Sequence, residues 1–147
     1  MEMLKLGETI QFGSKGNFFD FAGPGWASHD DTPGSTWTAD HVATLNVGML
    51  AAVPRIKMTL EAAPFLADGK ISHQEMNIYL NGLWIGYVRS EDNFIETFLF
   101  PANWLDKRGE NVFSFAIPTA RVPAKIGAGP DMRCLGFAFQ SLKFDPA

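Results

Sequence analysis

Glu75-Met76-Asn77-Ile78-Tyr79-Leu80-Asn81-Gly82-Leu83-Trp84-Ile85-Gly86-Tyr87-Val88 reads as two short alternating runs hinged on Asn-Gly. Asn-Gly supplies two consecutive residues at positive φ, the requirement of a two-residue type I′ turn whose twist matches that of its flanking strands. The stretch therefore predicts a tight antiparallel hairpin, EMNIYL paired with LWIGYV. Counted outward from the turn, Leu83 and Ile85 share one face and Trp84 and Gly86 the other. Trp84 then lies on the outer face, as a partner contact or as a cover for a nearby helical turn.

The same period of two recurs on both sides of the hairpin. Ile56, Met58 and Leu60 alternate with Lys57, Thr59 and Glu61. Phe113 and Phe115 flank Ser114, and Phe137 and Phe139 flank Ala138. Such alternation marks half-buried antiparallel strands. Further strands are expected over Leu4 to Phe12, Phe18 to Ala22, Thr36 to Thr38, His41 to Val47, Arg55 to Ala62, Phe94 to Phe100, Asn111 to Ile117 and Leu135 to Phe144. Helical signal is confined to Pro101 to Lys107, where Pro opens one turn and Gly109 follows its end. Many short strands separated by turns predict an all-β protein, an antiparallel β-sandwich of the jelly-roll kind, occupying residues 1–147 as one domain.

Composition narrows the function classes. The net charge of -4 argues against binding nucleic acid through phosphate neutralisation. No apolar run approaches the ~20 residues of a membrane helix, so no membrane insertion is expected. Met1 to Gly13 lacks the ordered regions of a secretory signal, which places a full-length chain in the cytoplasm. Cys134 is the only cysteine, which excludes an intramolecular disulfide. The aromatic content, thirteen Phe and four Trp with only two Tyr, must divide between core and binding surface. Most Phe fall in strand-like stretches and are assigned to the core.

Two segments interrupt the strand rhythm: Ala22 to Ser35, AGPGWASHDDTPGS, and Pro118 to Arg133, PTARVPAKIGAGPDMR. Loops this long in a compact domain often carry function. The first holds Trp26, His29, Asp30 and Asp31 and leads to Trp37; the second ends on Asp131 and Arg133. An indole offers an apolar face and one N–H donor, which suits the C–H face and polar rim of a sugar ring. Arg has a planar fork able to engage a carboxylate or two hydroxyls. The candidate binding residues are thus Trp26, His29, Asp30, Asp31, Trp37, Asp131 and Arg133. Each has a competing structural role: the indoles can plug the end of a sandwich, and Arg133 can pin its loop to Asp20, Asp30 or Asp31. No cofactor is called for and no transition-metal motif is present; the Asp side chains leave room for a structural calcium. No Gly-x-Ser-x-Gly elbow and no opposed carboxylate pair supports catalysis, so no catalytic residues are assigned.

Gly25-Trp26, Gly34-Ser35-Thr36-Trp37-Thr38, MNIYLNGLWIG and PDMRCLGFAFQSLKF, in that order, resemble a galactose-binding-like jelly-roll domain. More narrowly, the chain is similar to β-sandwich modules that accompany bacterial glycosyltransferases and polysaccharide-biosynthesis proteins. Where those modules carry Pro and Glu after Gly-Trp, this chain has Ser28-His29-Asp30-Asp31. The resemblance implies a non-catalytic module that recognises a carbohydrate or accompanies a glycan-building enzyme. The alternatives are a protein-assembly subunit or homo-oligomerisation module, and a small glycan-modifying enzyme using His29 or His41.

Overall fold

The computed structural model describes residues 1–28 and 32–147. Among these, the strands are β1 (Thr9–Gln11), β2 (Thr36–Trp37), β3 (Val42–Gly48), β4 (Arg55–Pro64), β5 (Gln74–Leu80), β6 (Leu83–Ser90), β7 (Phe94–Pro101), β8 (Glu110–Ala116) and β9 (Phe137–Pro146). They form two antiparallel sheets. One is five-stranded, in the order β1-β9-β4-β7 with β2 also on β9; the other is four-stranded, in the order β3-β8-β5-β6. The expected antiparallel β-sandwich is the observed architecture.

One apolar layer lies between the sheets. Ile56, Met58 and Leu60 of β4 face Phe113 and Phe115 of β8 and Met76 and Ile78 of β5, all fully buried. The phenylalanines are chiefly core: Phe12, Phe18, Phe100, Phe113, Phe115, Phe137, Phe139 and Phe144 are all buried. Each such side chain contributes roughly 2–3 kcal/mol of transfer free energy.

Two strands keep their apolar residues inside only by changing phase. In β9, Phe137 and Phe139 have odd numbers, whereas the equally buried Leu142 and Phe144 have even ones. The register shifts opposite Glu61/Ala62, where one extra residue on β9 lets both sets face the core. In β6, Trp84 pairs with Tyr79 but Gly86 pairs with Ile78, which leaves Ile85 as the extra residue. Strict alternation from the turn would have sent Tyr87 and Arg89 inward. The bulge instead buries Gly86, Val88 and Ser90 and turns Tyr87 and Arg89 to solvent. The expectation that Trp84 and Gly86 share a face is thereby corrected: Trp84 points out and Gly86 points in. A Cβ on Gly86 would lie 2.5 Å from Cδ1 of Phe98, a residue of the opposite sheet. Only a glycine lets β6 approach β7 so closely.

Two expected strands are shorter or absent. Phe18 to Ala22 is not a strand. Phe18–Asp20 forms a 3₁₀ turn in which the Phe21 amide donates to the Phe18 carbonyl. That turn brings both Phe18 and Phe21 into the core and leaves Phe19 outside, which alternation cannot do. Leu4 to Phe12 contracts to β1 because Gly7, at φ 92°, turns the chain; Leu4 instead donates its amide to Gly48.

The hairpin turn forms as expected, with Asn81 at φ 50° and Gly82 at φ 82°. It is fastened to the sandwich through the fully buried Asn111. Asn111 Nδ2 donates to the carbonyls of Val47 and Met49, both at 3.1 Å. Its Oδ1 accepts from the Asp106 amide at 2.8 Å and from Asn81 Nδ2 at 3.1 Å. All four hydrogen-bonding positions of the amide are filled. Replacing Asn111 with Leu should therefore destabilise the fold by about 3 kcal/mol, because several buried partners lose their bonds at once. Urea unfolding would measure this; a change below about 1 kcal/mol would show that the network does not hold the hairpin.

Candidate functional site

Of the residues expected to form a binding site at the loop end, the structure describes Trp26, Trp37, Asp131 and Arg133. Trp26 is committed to the core. Its ring lies 4.9 Å from Phe139, 5.1 Å from Phe18 and 5.5 Å from Phe12. Its indole N–H donates to the Thr44 carbonyl at 2.8 Å. Trp26 is thus half-buried, packed against these phenylalanines with its donor used. The glycine before it serves the same packing: at φ 100°, a Cβ on Gly25 would meet the Val42 carbonyl oxygen at 2.1 Å.

Arg133 closes on Asp131. Its Nη2 donates to Oδ2 at 2.7 Å and its Nε to Oδ1 at 3.0 Å, and the Arg133 amide donates to Oδ1 as well. These bonds hold the Asp131 carboxyl below the ordinary carboxylate range. Trp37 is half-buried, edge-on to Phe65 with ring centres 5.9 Å apart. It lines a groove of about 470 Å³ with Phe65, Asp68 and Ala128, the last of these from the second long loop. His29, Asp30 and Asp31 lie outside the described residues.

His41 has the geometry of an oriented base. Its Nδ1 lies 3.1 Å from the Ile117 carbonyl and its Nε2 lies 3.7 Å from Cys134 Sγ. Burial, followed by the charge of Asp40, pushes the Cys134 thiol up. The sulfur therefore stays protonated at neutral pH and is not an activated nucleophile. Among the described residues, no cluster of three or more His, Cys, Asp or Glu could hold a metal ion.

Two exposed aromatics, Trp84 and Tyr87, stand together elsewhere, on the outer face of the four-stranded sheet. Strand pairing sets two rows across it. One is Val42–Ala116–Asn77–Tyr87 and the other is Thr44–Ser114–Tyr79–Trp84. Trp84 is 54% exposed and Tyr87 42% exposed. Both stand on the edge strand β6, while Ser114 and Ala116 keep the middle of the face low. Polar groups on β5 orient the rings. Trp84 Nε1 donates to Asn77 Oδ1 at 3.1 Å, and the Tyr87 hydroxyl donates to Glu75 Oε1 at 2.5 Å. Glu75 Oε2 lies 3.3 Å from His73 Nε2. Arg89 Nη2 lies 3.3 Å from His73 Nδ1. Arg can only donate, so its partner atom Nδ1 is placed to accept, and Nε2 faces the Glu75 carboxylate. The Tyr87 hydrogen bond is the largest influence holding the Glu75 carboxyl below its usual range, and His73 adds to it. The same bond holds the Tyr87 phenol above its usual value. Two rings with fixed tilt, flanked by an amide and a carboxylate, can stack on a flat C–H surface and bond the hydroxyls at its rim.

Sequence reading placed Trp84 on the outer face but missed Tyr87 beside it, because the two are three residues apart, a spacing that alternation assigns to opposite sides. The available signal was Arg89, which strict alternation from the turn would have buried.

No protein-family model matches the chain, and no curated protein matches it. Solved structures do. The CBM36-1 domain of a multidomain xylanase from the hindgut metagenome of Trinervitermes trinervoides superposes with a TM-score of 0.57 at 9% identity, covering 95% of this chain and 97% of that one. A carbohydrate-binding module CBM36, solved in complex with calcium and xylotriose, gives 0.52 at 8% identity, covering 94% and 99%. A ruminal GH26 endo-β-1,4-mannanase gives 0.54 at 17% identity; it is matched along 100% of this chain but over only 27% of its own. The chain thus has the β-sandwich fold of carbohydrate-binding modules, consistent with a galactose-binding-like jelly roll.

Two outcomes follow from this geometry. Trp26→Ala should cost about 3 kcal/mol in urea unfolding, as a large aromatic leaves a packed site, whereas Trp84→Ala should cost under about 1 kcal/mol. Equal costs would contradict the division between core and surface indoles. The raised Tyr87 phenol means that the Tyr87–Glu75 bond is intact at neutral pH. It is lost as pH rises through the Tyr87 pKa, or falls through the depressed Glu75 pKa. An ultraviolet tyrosinate titration should show one tyrosine ionising later than a free phenol, and Glu75→Gln should return it toward the ordinary value.

Proposed function

We propose that the chain is a non-catalytic carbohydrate-recognition module whose binding platform is the outer face of the four-stranded sheet. The observation that carries this reading is the exposed Trp84–Tyr87 pair, brought to one face by the Ile85 bulge and braced by Asn77 and Glu75. An exposed aromatic pair held by hydrogen bonds loses little conformational freedom on binding, which favours it as an anchor. The likeness in fold to carbohydrate-binding modules supports the same conclusion. On this reading Trp84 stacks on a sugar ring, Tyr87 and Tyr79 extend the surface, and Asn77 and Glu75 bond hydroxyls. The module serves as an accessory of polysaccharide metabolism, bringing an enzyme of that class to its polymer. Trp37, in its groove at the loop end, is a second contact for a long chain.

Affinity electrophoresis against xylan, mannan, β-glucan and galactan, followed by calorimetry on the best ligand, tests this. Trp84→Ala should weaken binding about tenfold, the equivalent of ~1.4 kcal/mol, with the thermal unfolding midpoint nearly unchanged. Unchanged affinity in Trp84→Ala, or no retardation by any polymer, would reject the platform.

A further inference from the structure

We infer that the glycan held on this face carries an anionic substituent, a uronate carboxylate or a sulfate ester, bound in a cationic groove at the end of the platform. This rests on the carbohydrate reading above and adds the chemical class of the ligand. The groove, of about 540 Å³, is lined by Lys70, Ser72, His73, Thr119, Arg121 and Ile126, with no carboxylate among its lining residues. A neighbouring groove shares Arg121 and Ile126 and adds Lys125. In a chain of net charge -4, this is a local concentration of the opposite sign.

Lys70 is held in place, and among the described residues Arg121 is left unpaired beside it. Lys70 Nζ donates to the Gly127 carbonyl, a contact that joins the β4–β5 connection to the second long loop and leaves two ammonium protons for a ligand. Arg121 is anchored by its backbone, which exchanges hydrogen bonds with Leu135 at 3.0 and 2.8 Å. Its guanidinium has no hydrogen-bond or ion-pair partner among the described residues. By contrast, Arg89, Arg108, Arg133 and Lys143 each face a carboxylate within 4.0 Å. A planar fork beside a point charge suits a carboxylate or sulfate oxygen pair.

His73 joins this groove to the platform, since the same imidazole lines the groove and meets Glu75, which meets Tyr87. From Tyr79 to His73 the strand rises about 20 Å, enough for several sugar rings. Glu75 sits between, and its charge repels an acidic group placed over Tyr87. The arrangement therefore sets a direction: uncharged rings over Trp84 and Tyr87, the acidic group at Lys70 and Arg121.

Calorimetry on the full chain with two matched ligand pairs decides the matter. One pair is an oligogalacturonate and its methyl ester; the other is a sulfated galactan oligosaccharide and its desulfated form. The anionic member of one pair should bind about tenfold tighter at low salt, and which pair does so identifies the substituent. The gap should narrow as salt is added. It should close in Lys70→Gln/Arg121→Gln, whose affinity for the neutral member and whose circular-dichroism melt stay as in the parent. Equal affinity within both pairs overturns the anionic assignment while leaving the platform standing, and a preference that survives the double variant overturns the groove as its location. Absence of binding by all four oligosaccharides and by the neutral polymers overturns the carbohydrate reading itself.

Discussion

The contact of Phe98 with the backbone of Gly86 decides which residues this protein shows to solvent. The ring of a residue in one sheet occupies the space a side chain would need in the other. Position 86 must then face inward without a Cβ, and the strand can satisfy this only by accommodating Ile85 as an extra residue. Everything distal to the bulge takes the opposite phase. Val88 is buried instead of Tyr87, and Arg89 escapes a core in which its charge would have no partner. A packing constraint inside the sandwich thus creates the aromatic surface outside it.

The rest of the molecule makes that surface rigid. Asn111 gathers the ends of β3 and β8, the turn before β8 and the hairpin turn through one saturated amide. Trp26 and its surrounding phenylalanines close the opposite end of the core, freeing the neighbouring loops to shape grooves. Binding surfaces built on strands hold their side chains with less entropy to lose than surfaces on loops. Here the exposed Trp84 and Tyr87 stand on β6, while Lys70, His73 and Arg121 come from the connections between strands.

The strands were readable where alternation was unbroken. β4, β5 and β8 alternate buried and outward-facing residues, and their expected limits fall within a few residues of those observed. Phe18 to Ala22 misled because consecutive aromatics suggest a strand, while the core required Phe18 and Phe21 on the same side. The candidate site was less legible. Trp26 has the sequence neighbourhood of a sugar platform, yet sequence cannot tell which of two indole faces will meet phenylalanines from distant strands. Asp131 and Arg133 were singled out as candidate binding residues, but not as partners of each other.

The sequence by itself determined the all-β class, the Asn81-Gly82 hairpin, the phenylalanine core and the two long loops, because period and turn chemistry are local properties. Only the tertiary structure decided that Trp84 and Tyr87 share a face, that Trp26 packs against phenylalanines from distant parts of the chain, and that Lys70, His73 and Arg121 converge. Side-chain phase along a strand depends on what the opposite sheet presses against it, and convergence of loops depends on register across strands far apart in the chain. Neither is encoded within the span of a local motif.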